Sequence, residues 1–157
     1  MRLRLAVTDD AAALATMWHD GWVRAHTGIV PDALLPHRTP ATFRARVDRD
    51  LRSFHIAETE GRMSGFVRIV GAELDQFYVA PDLVGRGVAA PLMALAEDAL
   101  RDSGVRRAHL IASVGNTRAI RFYERQGWMH CGVQEADVST LDGPFRLQVV
   151  RFEKALS

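Results

Sequence analysis

The sequence predicts an α/β (α+β) domain in which about seven strands form a mixed, mostly antiparallel sheet flanked by about four helices. Three observations carry the prediction. Phe54 to Thr59, Ser64 to Val70 and Glu73 to Val79 are consecutive strand-like runs, with a hairpin turn at Glu60-Gly61-Arg62 and a stop at Pro81. A helical run from Gly87 to Arg101, with Val88, Leu92, Leu95 and Ala99 on one face, then leads to a further strand, Arg107 to Val114, and a crossover by a helix makes that pair parallel. No repeat, linker or low-complexity stretch divides the chain, so residues 1–157 read as one domain.

The order of elements is β α α β β β α β α β β. Leu3, Leu5 and Val7 alternate with polar residues as a half-buried strand does, and Thr8-Asp9-Asp10 supplies N-cap chemistry for a helix that ends near Gly21. Leu14, Met17 and Trp18 give that helix its apolar face, and an irregular Gly28-Ile29-Val30-Pro31 passage follows. Thr39-Pro40 is an N-cap with Pro at N1, and Phe43, Val47 and Leu51 lie on one side of the helix it opens. After the three strands, Ser103-Gly104 closes the crossover helix. Asn116 can cap a helix from Thr117 to Gln126 that Gly127 ends, and two last strands flank a turn at Asp142-Gly143-Pro144.

Composition narrows the function classes. With 48% hydrophobic and 25% charged residues the chain is an ordinary globular sequence with a core to bury. Its longest stretches without an acidic or basic residue, Gly87 to Ala96 and Ala108 to Thr117, are 10 residues long, against about 18 for a membrane span. Acidic residues arrive at Asp9-Asp10 before an apolar leader core can form, so a cytoplasmic location is expected. Cys131 is the sole cysteine, which leaves no internal disulfide and no thiolate zinc site, and the six histidines show no metal-ligand spacing. Net charge is +1, with 19 Arg and a single Lys, Lys154, spread along the chain, so neither nucleic acid nor a membrane is expected as partner.

The chemistry concentrates in Phe77-Tyr78-Val79-Ala80-Pro81-Asp82-Leu83-Val84-Gly85-Arg86-Gly87-Val88-Ala89-Ala90, where a strand runs into a Gly-containing turn that opens a helix. Gly85 and Gly87 let the main chain approach an anion, and the positive end of the helix dipole favours a phosphate there. The same pattern also serves a tight strand–helix connection with no ligand. It satisfies G-x-G-x-x-A as well, so a dinucleotide enzyme enters the comparison. That reading requires an acidic residue about 20 positions on, and the following strand ends Ile111-Ala112-Ser113-Val114-Gly115-Asn116 without one.

The Val-x-Pro strand end, the x-G-x-G-x-A turn and Asn116-Thr117-Arg118-Ala119-Ile120-Arg121-Phe122-Tyr123-Glu124-Arg125-Gln126-Gly127-Trp128 together resemble the GNAT superfamily of acyl-CoA-dependent N-acyltransferases. The resemblance runs the length of the chain and is strongest from Glu73 to Trp128. It implies a GNAT-like fold whose strand Glu73–Val79 splays from its neighbour and offers the backbone of Phe77, Tyr78 and Val79 to the pantetheine arm of acetyl-CoA. It implies further that the pyrophosphate rests on the backbone of Gly85, Arg86, Gly87, Val88, Ala89 and Ala90, that Asn116 contacts the pantetheine, and that Tyr123 is the general acid at the sulfur. Glu73 matches the base of the histone acetyltransferase branch. Trp22, His26 and Gly28-Ile29-Val30-Pro31 look like the substrate side of one broad subgroup. The sequence departs from the family at Val84, where Gln or Arg is usual, and at Ile111, where the branch acetylating N-terminal alanine keeps a Glu.

Each residue also has a plainer role. Tyr123 is spaced as a core aromatic, Asn116 as an N-cap, and Glu73 as a solvated strand residue with Asp75 as its rival for the base. Trp18 and Trp22 are spaced as core. The expectation is an N-acetyltransferase that uses acetyl-CoA as co-substrate and needs no metal, takes a small-molecule or peptide amine, and works as monomer or homodimer. A non-catalytic acyl-CoA sensor and an NAD(P)-binding oxidoreductase are the alternatives.

Overall fold

The computed structural model describes residues 1–156. Its strands are β1 (Arg2–Leu5), β2 (Phe54–Thr59), β3 (Arg62–Val70), β4 (Glu73–Val79), β5 (Arg107–Ser113), β6 (Met129–Thr140) and β7 (Gly143–Ala155), and its helices α1 (Ala11–His26), α2 (Pro40–Asp50), α3 (Ala89–Asp102) and α4 (Thr117–Arg125). The sheet has seven strands in the order β1-β2-β3-β4-β5-β7-β6. Every neighbouring pair is antiparallel except β4 and β5. The expected α/β class, mixed sheet and element order are therefore observed.

Two cores cover the two faces. Under α1 and α2, Trp18 stands at the centre, with edge contacts to Phe43 at 4.8 Å, Phe54 at 5.3 Å and Phe66 at 6.3 Å. Under α3, Leu92, Met93, Ala96 and Leu100 pack on Val67, Leu74, Leu110 and Phe152, with Tyr123 and Phe122 of α4 at the margin. Lys154 fixes this second layer, because its ammonium pairs with the buried Glu97 of α3 at 2.8 Å and donates to the Gln126 carbonyl beyond α4 at 2.7 Å.

Local chemistry explains the boundaries. Thr39 caps α2 by accepting from the Thr42 N–H at 3.2 Å, while the Thr42 hydroxyl accepts from the Thr39 N–H at 2.9 Å. Before α1, a single 3-10 turn covers Thr8–Asp10 and Asp10 accepts the Val7 N–H at 2.7 Å. Three expectations fail. Leu5, at the end of edge strand β1, and Val7, beyond it, are exposed, and Leu3 is the apolar side chain of β1 that packs inward. Helix α1 does not end at Gly21 but continues to His26, and the glycine has another reason to be there: a Cβ would stand 2.5 Å from the Tyr78 ring, so it is a seat for that ring, not a stop. The last hairpin turns at Leu141-Asp142, and Gly143 and Pro144 already pair within β7.

Candidate active site

The feature that creates the site is a failure of pairing. β4 and β5 meet only where Glu73 faces His109, with the His109 N–H on the Ala72 carbonyl at 3.1 Å, and beyond that point they separate. The cause lies in the β3–β4 ladder, whose register passes from Gln76 to Leu74 and leaves Asp75 unpaired. Such a bulge bends its strand and raises the local twist. On the far side of the bulge the register fixes which groups are free. Ala80 donates to Ser64 at 2.9 Å, so Ala80 and Tyr78 bond to β3, and the N–H and C=O of Phe77 and Val79 point into the gap toward β5. Main-chain groups so placed require a partner from outside the sheet.

The gap opens onto the turn before α3. Gly85 (φ 80°) and Gly87 (φ 78°) adopt the left-handed conformation that L-residues avoid. Within the turn, the Arg86 N–H is used by the Leu83 carbonyl at 3.1 Å, whereas those of Gly85, Gly87, Val88, Ala89 and Ala90 find no main-chain partner among the described residues. No side chain among the described residues caps α3, and Pro91 in its first turn has no N–H to satisfy. A cleft of about 1050 Å³ runs from this turn along β4 to the space under α1. Of the residues expected from the sequence, Trp22, His26, Ile29, Val30, Glu73, the β4 and turn positions, Asn116 and Tyr123 line it, whereas Gly28, Pro31 and the exposed Arg86 do not.

Glu73 lies at the closed end of the gap, on the α1–α2 face opposite its neighbour Leu74. Burial, and then the Asp75 carboxylate beside it, raise its pKa to about 7, and the His109 Nε2 lies 3.1 Å from its carboxylate. Asp75 is committed elsewhere: it takes the Arg68 guanidinium at 2.7 Å, and Arg68 also reaches Asp50 at 3.3 Å and Ser53 at 2.8 Å. Between the two carboxylates proposed by the sequence, Glu73 is the one free of a permanent cation.

Tyr123 approaches from the opposite face. Its ring packs on Phe152 at 5.6 Å and Phe122 at 5.7 Å, its hydroxyl has no hydrogen-bond partner among the described residues, and burial raises its pKa to about 12, so the phenol stays protonated. A core tyrosine with a satisfied hydroxyl is therefore not what the structure contains. Asn116 does cap α4, accepting from the Ala119 N–H at 3.4 Å, and its side-chain amide nitrogen has no partner among the described residues.

Under α1 the cleft is walled by side chains. Trp22 is buried and stacked on His26 at 4.8 Å, with His26 Nδ1 3.0 Å from the Trp22 carbonyl, and burial lowers the His26 pKa so that the ring is neutral. Trp18 is core, but its indole N–H reaches Gln76 at 3.2 Å and holds that amide at the cleft wall. Tyr78 stacks on Phe66 at 5.4 Å beneath Gly21. Sequence reasoning missed Arg38 and Arg46, which line this same half. The available signal was the position of Arg46, three residues after Phe43 and next to Val47 on the buried side of α2.

Residues 15–128, most of the chain, match the acetyltransferase (GNAT) family. The chain belongs to the GNAT family. It is 30% identical over 95 residues to a streptothricin acetyltransferase of Streptomyces lavendulae, a match covering 57% of this chain and 50% of that one. The chain spans about half the length of the curated relatives it matches. A GCN5-related N-acetyltransferase from Rhodopseudomonas palustris superposes with a TM-score of 0.72 at 24% identity, covering 98% of this chain and 94% of that one. The PaiA N-acetyltransferase of Thermoplasma acidophilum, solved with coenzyme A, gives a TM-score of 0.67 at 17% identity and 98% coverage of both. These structures share the fold of this chain.

Proposed function

We propose that the protein transfers an acetyl group from acetyl-CoA to a small-molecule amine by direct attack, with β4 as the template. The observation that carries this reading is the unpaired edge of β4 running into a turn of free N–H groups, since a pantetheine arm and a pyrophosphate need those two surfaces in that order. The residues fit the group: a Cβ at Gly85 or Gly87 would meet nothing within 4 Å, so the turn is open to a ligand. Acetyl-CoA supplies an acyl group activated as a thioester.

The chain's own residues supply the rest. The turn from Gly85 to Ala90 holds pyrophosphate at the N-terminus of α3, and Phe77 and Val79 pair with the amides of the arm as a strand would. Asn116, with a free amide nitrogen, contacts the same arm. Glu73, half ionised near neutral pH, takes the proton of the incoming ammonium through water on the α1–α2 face. The Val79 N–H donates to the carbonyl oxygen as charge develops there. Tyr123, from the opposite face, protonates the departing sulfur. Trp22 and His26 wall the acceptor side. Acid and base thus approach from opposite faces of one strand, which keeps the attacking and leaving groups apart. The dinucleotide reading lacks support, because β4 is antiparallel to β3 and a single parallel pair is no doubly wound sheet.

The test is a melting experiment joined to a thiol-release assay. At about 100 times its dissociation constant CoA should stabilise the fold by roughly 2.7 kcal/mol while NAD and ATP do not, and acetyl-CoA should lose its acetyl group in the presence of an accepted amine. Stabilisation by NADH alone overturns the reading. Stabilisation by CoA with no transfer across a broad amine panel puts the sensor in its place.

A further inference from the structure

Two arginines on the acceptor side are left over by the fold's own charge pairing. Arg46 is only 4% exposed and Arg38 6%, yet neither makes an ion pair among the described residues, and the Nε of each is buried without a partner. Arg46 lies 4.3 Å above the Trp18 ring and has no hydrogen bond to any described residue. Arg38 lies 5.7 Å from the Trp22 ring and spends its Nη groups on two main-chain carbonyls, Ser139 at 2.8 Å and His37 at 3.3 Å. The nearby carboxylates are taken, because Arg68 holds both Asp50 and Asp75. Desolvation, and then the charge of Arg38, lower the Arg46 pKa to about 9. A buried guanidinium is expensive without a counter-charge, and both of these open into the cleft.

We propose that the acceptor amine carries a carboxylate, held by Arg46 and Arg38, and is therefore an α-amino acid or a close relative. This rests on the acetyl-transfer reading and names its substrate class. The electrostatics of the half-cleft match a zwitterion: two cations without an ion-pair partner among the described residues line the same cleft as Glu73, which is to receive the ammonium proton. Guanidinium forks bind carboxylates through paired N–H groups, and rings beneath them keep the forks flat and in place. Ala136, Val138 and Leu147 line the same half, so the side chain it favours is apolar.

The test uses matched pairs. Thiol release is measured with L-leucine and L-phenylalanine and with their amides, whose amines deprotonate more readily and so bias the comparison against the proposal. N-acetyl-L-leucine and N-acetyl-L-leucinamide are titrated into the CoA-saturated protein, followed by tryptophan fluorescence because Trp18 and Trp22 lie under the arginines. The acids should win by at least tenfold in both assays. Arg46→Gln and Arg38→Gln should each erase most of that margin through KM rather than kcat, and Arg46→Lys, which keeps charge without the fork, should restore part of it. CoA-induced stabilisation reports that each variant is folded, and if one unfolds the other decides. The proposal is overturned if the parent treats acid and amide alike, if neither N-acetyl compound binds, or if both Gln variants keep the margin. Failure of acetyl transfer itself has a separate signature, no CoA stabilisation and no thiol release with any amine, and the fluorescence titration repeated without CoA then still reads the arginines.

Discussion

On the β5 side of β4 the cleft is made of main chain, whereas under α1 and α2 it is made of side chains. The first half is built on the N–H and C=O groups of Phe77 and Val79 and the glycine turn, with the side chains of Asn116 and Tyr123 reaching into it, and elsewhere it asks little of residue identity beyond glycine at two left-handed positions. The second draws single residues from α1, α2, β4 and the β6–β7 hairpin, and almost every one has an assigned partner, ring on ring or cation over ring. A surface of backbone amides binds one ligand backbone whatever the neighbouring sequence does. A surface of side chains can be rewritten residue by residue. On the proposed function, a fixed donor and a variable acceptor follow from the materials of the two walls.

The comparison breaks most visibly if the proton donor lies in the wrong half. Tyr123→Phe should lower single-turnover acetyl transfer by about 10²–10⁴-fold while leaving the melting temperature and CoA affinity close to the parent's, since its hydroxyl holds no hydrogen bond in the fold. If Tyr78→Phe and not Tyr123→Phe loses the rate, the acid belongs to the side-chain half.

Glu73 tests the closed end of the gap, where the halves meet. Its pKa of about 7 lies above the ordinary carboxylate range, so the active base form gains as pH rises, and kcat/KM should climb to a break near pH 7. Glu73→Gln should remove that break and lower the plateau by about 10²-fold, the low end for a general base. A profile that keeps its break at pH 7 in the variant assigns the base to another group. The sign for stability is the reverse: a raised carboxyl pKa makes the folded state bind more protons between about pH 4.5 and 7, so the parent should lose stability over that interval relative to Glu73→Gln.

Smaller effects separate packing from binding. Gly21→Ala places a methyl 2.5 Å from the Tyr78 ring, and overpacking of this kind costs about 1–3 kcal/mol; the loss should appear in a melt and in acceptor KM, with CoA affinity unchanged. Gly87→Val meets no neighbour but must hold a β-branched residue at φ 78°, a strain of about 1–2 kcal/mol, and should weaken CoA by about tenfold while acceptor KM stays put. Equal effects of both variants on both ligands would abolish the distinction between the walls.

The same distinction explains what could be read from the sequence. All seven strands and four helices were legible in order, and β4 to the residue, because period-2 and helical alternation and the stops at Pro81, Gly104 and Gly127 are local signals. The glycine turn was legible because a left-handed turn that opens a helix is written in consecutive residues, Gly85 to Ala90. Gly21 misled, since a glycine that stops a helix and one that admits a ring read alike until the ring of Tyr78, 57 positions away, is known. Arg38 and Arg46 were hidden for the same reason: each reads as a surface arginine until Trp22 and Trp18 are found beneath them. The Asp75 bulge, which opens the gap, is a property of two strands in register and leaves no mark in one.

The single rung between Glu73 and His109 makes the seven-stranded sheet a near-broken one. Its middle, ordinarily the slowest region of a sheet to trade amide hydrogens with water, contains in Phe77 and Val79 two amides that nothing in the fold protects. Deuterium should therefore enter at the centre as readily as at a frayed end, and leave the exchange pattern of an intact sheet only when a ligand strand is laid in the gap. The seam then heals, and on the proposed function the strand that completes the sheet is the co-substrate itself.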